Sequence, residues 1–191
     1  WHPGGKTAKH VISPLYASDA QPIVLEGDLW SDGAGNKRMS IGLRDNGGGA
    51  GLNSILEMGI YNSSVDPTDG LTKSGFSFRT VFIDGNPGNW VYLGAGDTAG
   101  WHHMKATIGE TNILVELDLG DDGTVDHSQN IAIADPDHGN FGYNVIRLGG
   151  PSDLSSGGGG LAFDNISIDQ VPEPASLALL GLGMFLLRRR R

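Results

Sequence analysis

The sequence predicts an all-β fold, an antiparallel β-sandwich followed by a short C-terminal hydrophobic helix. Three observations carry this. Short stretches in which apolar and polar residues alternate recur along the chain, at strand rather than helix period. Glycine supplies 31 of the 191 residues and gathers between those stretches, where turns are needed. No amphipathic helical pattern occurs before the tail.

Taken in order, residues 1–13 show no clear period and read as a loop or the remnant of an earlier strand. Ile23, Leu25 and, beyond Gly27, Leu29 fall on one side of a strand that ends at the turn cluster Trp30-Ser31-Asp32-Gly33. Met39, Ile41 and Leu43 alternate with Arg38, Ser40 and Arg44, the pattern of a half-buried strand that stops at Asp45-Asn46-Gly47-Gly48-Gly49. Ile55 to Tyr61 is the next strand and Asn62 to Gly70 a polar loop. Phe76 to Ile83 is aromatic and β-branched and closes at Asp84-Gly85-Asn86-Pro87-Gly88. Trp90 to Leu93 is a short strand. Trp101 to Ile108 follows, with Met104, Ala106 and Ile108 on one face and His103, Lys105 and Thr107 on the other.

The sharpest alternation is Ile113-Leu114-Val115-Glu116-Leu117-Asp118-Leu119, which turns Glu116 and Asp118 toward water. Gly120-Asp121-Asp122-Gly123 then reverses the chain, and Asp122-Gly123 suits a tight hairpin. Tyr143 to Leu148 and Leu161 to Ile168 are the last two strands, separated by Gly149-Gly150-Pro151 and the flexible Gly157–Gly160 run. One domain over residues 1–169 and a tail over residues 170–191 account for the length.

The formal charge is −9; residues 171–191 carry +3, which leaves −12 on residues 1–170. An acidic body repels phosphate backbones, so no nucleic-acid partner is expected. Divalent cations and cationic surfaces remain compatible. Cysteine is absent, which excludes disulfides, thiol chemistry and cysteine-based zinc sites.

The tail reads Val171-Pro172-Glu173-Pro174-Ala175-Ser176, then runs uncharged from Leu177 to Leu187, then ends in Arg188-Arg189-Arg190-Arg191. Pro172 and Pro174 forbid a regular helix, so the signature is expected to be extended and accessible. The apolar run Ala175–Leu187 rises about 20 Å as a helix. A hydrocarbon core is about 30 Å thick, so the run is marginal as a permanent anchor. The arginines are expected on the cytoplasmic side and the body beyond the inner membrane. This order of features resembles the C-terminal sorting segment of the PEP-CTERM family. The resemblance implies export, recognition by an exosortase-type processing protease and association with exopolysaccharide at the cell surface or matrix. Export also requires a leader, so the front at Trp1 is expected to be processed or truncated.

Over residues 15–169 the motif order resembles the concanavalin-A-like or laminin-G-like jelly roll. The matching pieces are Gly100-Trp101-His102-His103 opening a strand, the Asp-Gly turn after Val115–Leu119, and Phe163-Asp164-Asn165-Ile166 in a closing strand. Within it, Glu116-x-Asp118-x-x-Asp121 is similar to the Glu-x-Asp-x-x-Glu strand of jelly-roll glucanases, whose two glutamates act as nucleophile and acid/base. Asp121 replaces the second glutamate, and a retaining mechanism needs carboxyl groups about 5–5.5 Å apart. The catalytic set is therefore incomplete, and a solvated strand face is the plainer reading.

Asp118, Asp121, Asp122 and Asp126 crowd one hairpin with oxygen ligands suited to Ca²⁺. An EF-hand pattern is only half met, with Gly120 and Gln129 where ligands belong. Asp135-Pro136-Asp137-His138 is a weaker second cluster. His102 and His103, adjacent on a strand, point to opposite faces and are poor partners for one metal; His127 and His138 would be needed for a composite site. Trp30, Trp90 and Trp101 offer indole faces on which sugar rings stack, although sandwich tryptophans more often pack the core. The reading is an exported, non-catalytic β-sandwich of the cell envelope or extracellular matrix that binds glycan. Two alternatives stand beside it: a polysaccharide hydrolase using Glu116, and a self-associating surface or filament protein with a Ca²⁺-bridged acidic face.

Overall fold

The computed structural model describes residues 8–34, 38–45, 54–81, 88–133, 142–149 and 161–170. Among them lie eleven strands. They are β1 (Ala8–Leu15), β2 (Ile23–Asp32), β3 (Arg38–Asp45), β4 (Ser54–Val65), β5 (Thr72–Val81), β6 (Val91–Tyr92), β7 (Ala99–Ile108), β8 (Asn112–Leu119), β9 (His127–Ala132), β10 (Tyr143–Leu148) and β11 (Leu161–Gln170). Six form one sheet in the order β1-β10-β3-β4-β5-β6, and five form the other in the order β11-β2-β7-β8-β9. Pairing is antiparallel throughout except for a parallel bridge between Val65 and Val91. The expected antiparallel sandwich is the observed one; the expected C-terminal helix lies outside the described residues.

Alternation decides the core. Ile23, Leu25 and Leu29 of β2, Met104, Ala106 and Ile108 of β7, and Ile113, Val115 and Leu117 of β8 are fully buried. They form one cluster with Met39, Ile41 and Leu43 of β3, Leu56, Met58 and Ile60 of β4, and Phe76 and Phe78 of β5. Gly27 interrupts the β2 pattern for a reason. A Cβ there would sit 2.3 Å from Ile166 Cδ1 and 2.9 Å from Ile41 Cδ1, so those two chains fill the place of its side chain.

Several boundaries differ from expectation. β1 was not legible as a strand because it is an edge strand, mostly exposed and paired only with β10. β4 continues through Val65 across an irregularity between Tyr61 and Ser64, which shortens the polar loop. The tight Asp122-Gly123 hairpin is instead a longer connection, residues 120–126, leading into β9. Asp118 holds that connection back against the sheet, accepting from the Asp122 and Gly123 N–H groups at 3.1 and 2.7 Å. Asp118 is consequently buried, although it stands on the outward face.

Candidate functional site

The outward face of the six-stranded sheet is built by the positions that alternate with the core. Register aligns Arg147 of β10, Gly42 of β3, Glu57 of β4 and Arg79 of β5 in one row across four strands. Glu57 is 0% exposed. Its Oε1 accepts from Arg44 Nη2 and, at 2.9 Å, from Arg147 Nη1. Its Oε2 accepts from Arg79 Nε and Nη2, both at 2.7 Å. Gly42 makes this possible, since a Cβ at that position would stand 2.9 Å from Glu57 Cγ. Burial, helped by the neighbouring Arg44 charge, lowers the Arg147 pKa from its ordinary value, while Glu57 opposes that shift.

Beside this cluster the rings of Tyr61 and Trp90 stack with centroids 4.7 Å apart and planes 6° from parallel. Arg38 Cζ lies 5.2 Å from the Tyr61 ring centroid, and Arg79 Cζ lies 5.3 Å from that of Trp90. Such placements are worth about 0.5–1 kcal/mol each where exposed. Arg38 is also steered by Nε donating to Asn62 Oδ1 at 2.9 Å. These groups border a groove of about 400 Å³ lined by Arg38, Tyr61, Ser63, Arg79, Asn89 and Trp90 among others. That is the size of a small-ligand site, with aromatic walls and convergent donors.

The rim of the groove at Val65 leads into an acidic turn. Asp66 accepts from Thr68 N and Oγ1, and Lys73 Nζ lies 2.9 Å from Asp69 and 3.6 Å from Asp66. The Thr68 hydrogen bonds, and more weakly Lys73, lower the Asp66 pKa; the Leu71 N–H and Lys73 lower that of Asp69. Depressed carboxylate pKa values mean that the stabilisation is complete above the ordinary value of 3.8 and is lost as pH falls through the folded values. Hydrogen exchange at the Gly70 and Leu71 amides, corrected for intrinsic rates, is therefore expected to speed up below that pH while core amides of β4 stay protected.

Of the other sequence-derived candidates, Trp30, Trp101, Glu116 and Asp118 lie on the other sheet and Asp121, Asp122 and Asp126 on the connection after β8, while Pro172, Glu173, Pro174 and Arg188 to Arg191 lie outside the described residues. Glu116 faces outward from β8, with its carboxylate 3.7 Å from Lys105 Nζ. Asp118 is committed to the turn described above, and Asp126 Oδ2 accepts from Leu119 N while Asp122 Oδ1 accepts from Thr124 N. Asp121 is exposed at a left-handed φ of 54°. Of the four hairpin aspartates, Asp121 joins a different group: one ligand atom each from Asp28, His103 and Asp121 lie within 4.8 Å of one another. An imidazole with two carboxylates suits a borderline metal ion better than Ca²⁺. Asp28 is already engaged by His103 Nδ1 at 2.7 Å and Asn165 Nδ2 at 2.6 Å.

His102 points inward, as alternation requires. Its ring meets Phe76 edge-on, Nδ1 accepts from Gly120 N, and Nε2 lies 3.0 Å from Thr98 O. Asp135 to His138 lie outside the described residues. Trp90 is 5% exposed and Trp101 39% exposed, with Trp30 directly opposite Trp101 on the five-stranded sheet. Sequence reasoning did not single out Glu57 or its arginines. The available signal was a charge inside apolar strands, Arg79 after Phe76-Ser77-Phe78 and Glu57 between Leu56 and Met58.

Residues 170–191 match the PEP-CTERM protein-sorting motif, a signal that indicates export to the cell envelope or surface. The fold is similar to that of ancestral congerin, at 13% identity and a TM-score of 0.50 over 85% of this chain and 99% of that one. It is also similar to the LG1-3 region of the laminin α2 chain, at 10% identity and a TM-score of 0.54 over 88% of this chain and 31% of that one. A third match is a functionally unknown protein from Saccharomyces cerevisiae, at 13% identity and a TM-score of 0.50 over 86% and 87% of the two chains. At these identities the likeness is one of jelly-roll architecture. No curated protein matches the sequence.

Proposed function

We propose that this chain is an exported β-sandwich of the cell envelope or extracellular matrix that binds polysaccharide without cleaving it. The observation that carries the reading is the groove beside the Tyr61–Trp90 stack. Its walls are aromatic, and Arg38, Ser63, Arg79 and Asn89 line it with polar groups that hydroxyl-rich ligands can pair with. Because Trp90 is 5% exposed and each ring carries a guanidinium, a sugar meets the ring edges and the arginines rather than an open indole face. The sorting motif delivers the domain to where polysaccharide is found, after processing by an exosortase-type protease. A cleavage mechanism has less support, because Glu116 sits beside Lys105 and Asp118 is spent on its turn.

The binding part is tested by retention of the full chain on immobilised polysaccharide, including that of the host; failure to be held by any polymer contradicts it. The delivery part is tested by fractionation. Replacing Pro172-Glu173-Pro174 by alanines, or deleting Arg188 to Arg191, is expected to shift the chain from the surface fraction to the membrane or cell interior. An unchanged distribution contradicts the role assigned to the tail.

A further inference from the structure

We infer that the polysaccharide taken by the groove is anionic, and that Arg38 and Arg79 engage its carboxylate or sulfate groups. This rests on the glycan-binding reading above and narrows it. The chain carries 22 acidic against 13 basic residues, so a patch of side chains chosen without regard to charge would be acidic. The groove is the reverse: among the described residues its lining holds two guanidiniums and no carboxylate.

The support behind the groove has the same sign. Arg44, Arg79 and Arg147 converge on one carboxylate, Glu57, whose two oxygens receive four guanidinium nitrogens. Among the described residues, one carboxylate therefore meets three guanidiniums at this point. Arg44 is nine-tenths buried, and its Nε has no hydrogen-bond partner among the described residues. Cross-strand, Arg79 stands directly opposite Glu57 and Arg147 opposite Gly42, which lets the Arg147 side chain reach over to the same carboxylate.

The two faces of the sandwich differ in charge. The outward face of the five-stranded sheet carries Glu26, Asp28, Glu116 and Asp118, against Lys105 and His103. Among the described residues, the six-stranded face carries Lys9, Arg38, Arg44, Arg79 and Arg147 against Glu57, with Asp66 and Asp69 on the adjoining turn paired to Lys73. Screening limits the reach of the acidic side to about 8 Å at physiological ionic strength. A sugar acid seated in the groove thus responds to local guanidiniums rather than to the net charge. Guanidinium is weakly hydrated and pairs well with carboxylate and sulfate. With Arg79 Nε and Nη2 on Glu57 and Arg38 Nε on Asn62, the ligand is met by the remaining Nη hydrogens. Here both groups are held over aromatic rings, so less rotamer freedom is lost on binding. A rigid nucleic-acid duplex does not fit a groove of about 400 Å³.

Affinity electrophoresis of the full chain through gels containing polygalacturonate, dextran sulfate or uncharged dextran tests the inference. Retardation by one or both polyanions and not by dextran is expected, weakening steeply with added NaCl; the two polyanion arms separate carboxylate from sulfate recognition. Arg38→Gln and Arg79→Lys should each weaken retardation roughly tenfold. Arg79→Lys keeps a cation beside Glu57, and thermal unfolding checks that both variants fold. Lys105→Gln, on the opposite face, should change nothing. Salt-insensitive retardation by dextran would leave the glycan-binding reading standing and overturn the anionic one. Retardation by polyanions that both arginine variants retain in full would overturn it too, as would binding only to vesicles of anionic lipid. No retardation by any polymer overturns the underlying glycan-binding reading itself.

Discussion

Glu57→Ala is expected to destabilise the domain by about 3–5 kcal/mol, as much as a large truncation in the apolar core. The carboxylate is wholly buried and holds three guanidiniums that repel one another. Its removal leaves like charges in a desolvated setting, and each loses a charge-assisted hydrogen bond. Two further variants separate charge from packing. Glu57→Gln keeps shape and one acceptor, so its loss should be smaller but still large. Adding Arg44→Met to Glu57→Ala removes one of the stranded cations and should recover part of the loss. Urea unfolding midpoints measure all three. A loss under about 1 kcal/mol for Glu57→Ala would mean that solvent, not Glu57, balances these arginines.

Trp90→Ala is expected to abolish glycan retention, a loss of roughly thirtyfold or more, the usual size for truncating a buried aromatic anchor. Trp90 is stacked on Tyr61 and borders the groove, so its loss removes a wall, releases the Tyr61 ring and strips Arg79 of its aromatic contact while Glu57 still holds it. The same truncation costs fold stability, so Trp90→Phe is the sharper variant. It keeps a ring against Tyr61 and should retain the fold while weakening binding only in part. Trp101→Ala is the counterpart. Trp101 is exposed on the opposite sheet, and its loss should leave both stability and retention unchanged if the groove is the site. Titration against an immobilised oligosaccharide compares the three.

The sandwich was legible because a strand buried on one side must alternate, and the core positions of β2, β3, β7 and β8 recur at every second residue, interrupted by Gly27 and ending in the inward polar residues Ser31 and His102. Two of the four edge strands escaped. β1 and β9 bury little, so nothing in Ala8–Leu15 or His127–Ala132 is forced into alternation. The groove escaped for a different reason. Arg38, Glu57, Arg79 and Arg147 are far apart in sequence and meet only because the sheet order places β10 beside β3 and β5 beside β4. Strand order depends on which sheet each connection returns to, and that is a long-range property. The aspartates of the 118–126 stretch were conspicuous because they are clustered in sequence. Asp118 and Asp122 accept backbone N–H groups of the connection and Asp126 that of Leu119 at the end of β8, which is how such residues commonly serve turns.

Which face meets the glycan can be read directly by mapping amide chemical-shift changes while an acidic oligosaccharide is titrated into the full chain. The groove predicts a compact set of changes at Arg38, Tyr61, Ser63, Arg79, Asn89 and Trp90. Changes gathered instead around Trp30, Trp101 and His103 on the five-stranded sheet would contradict it.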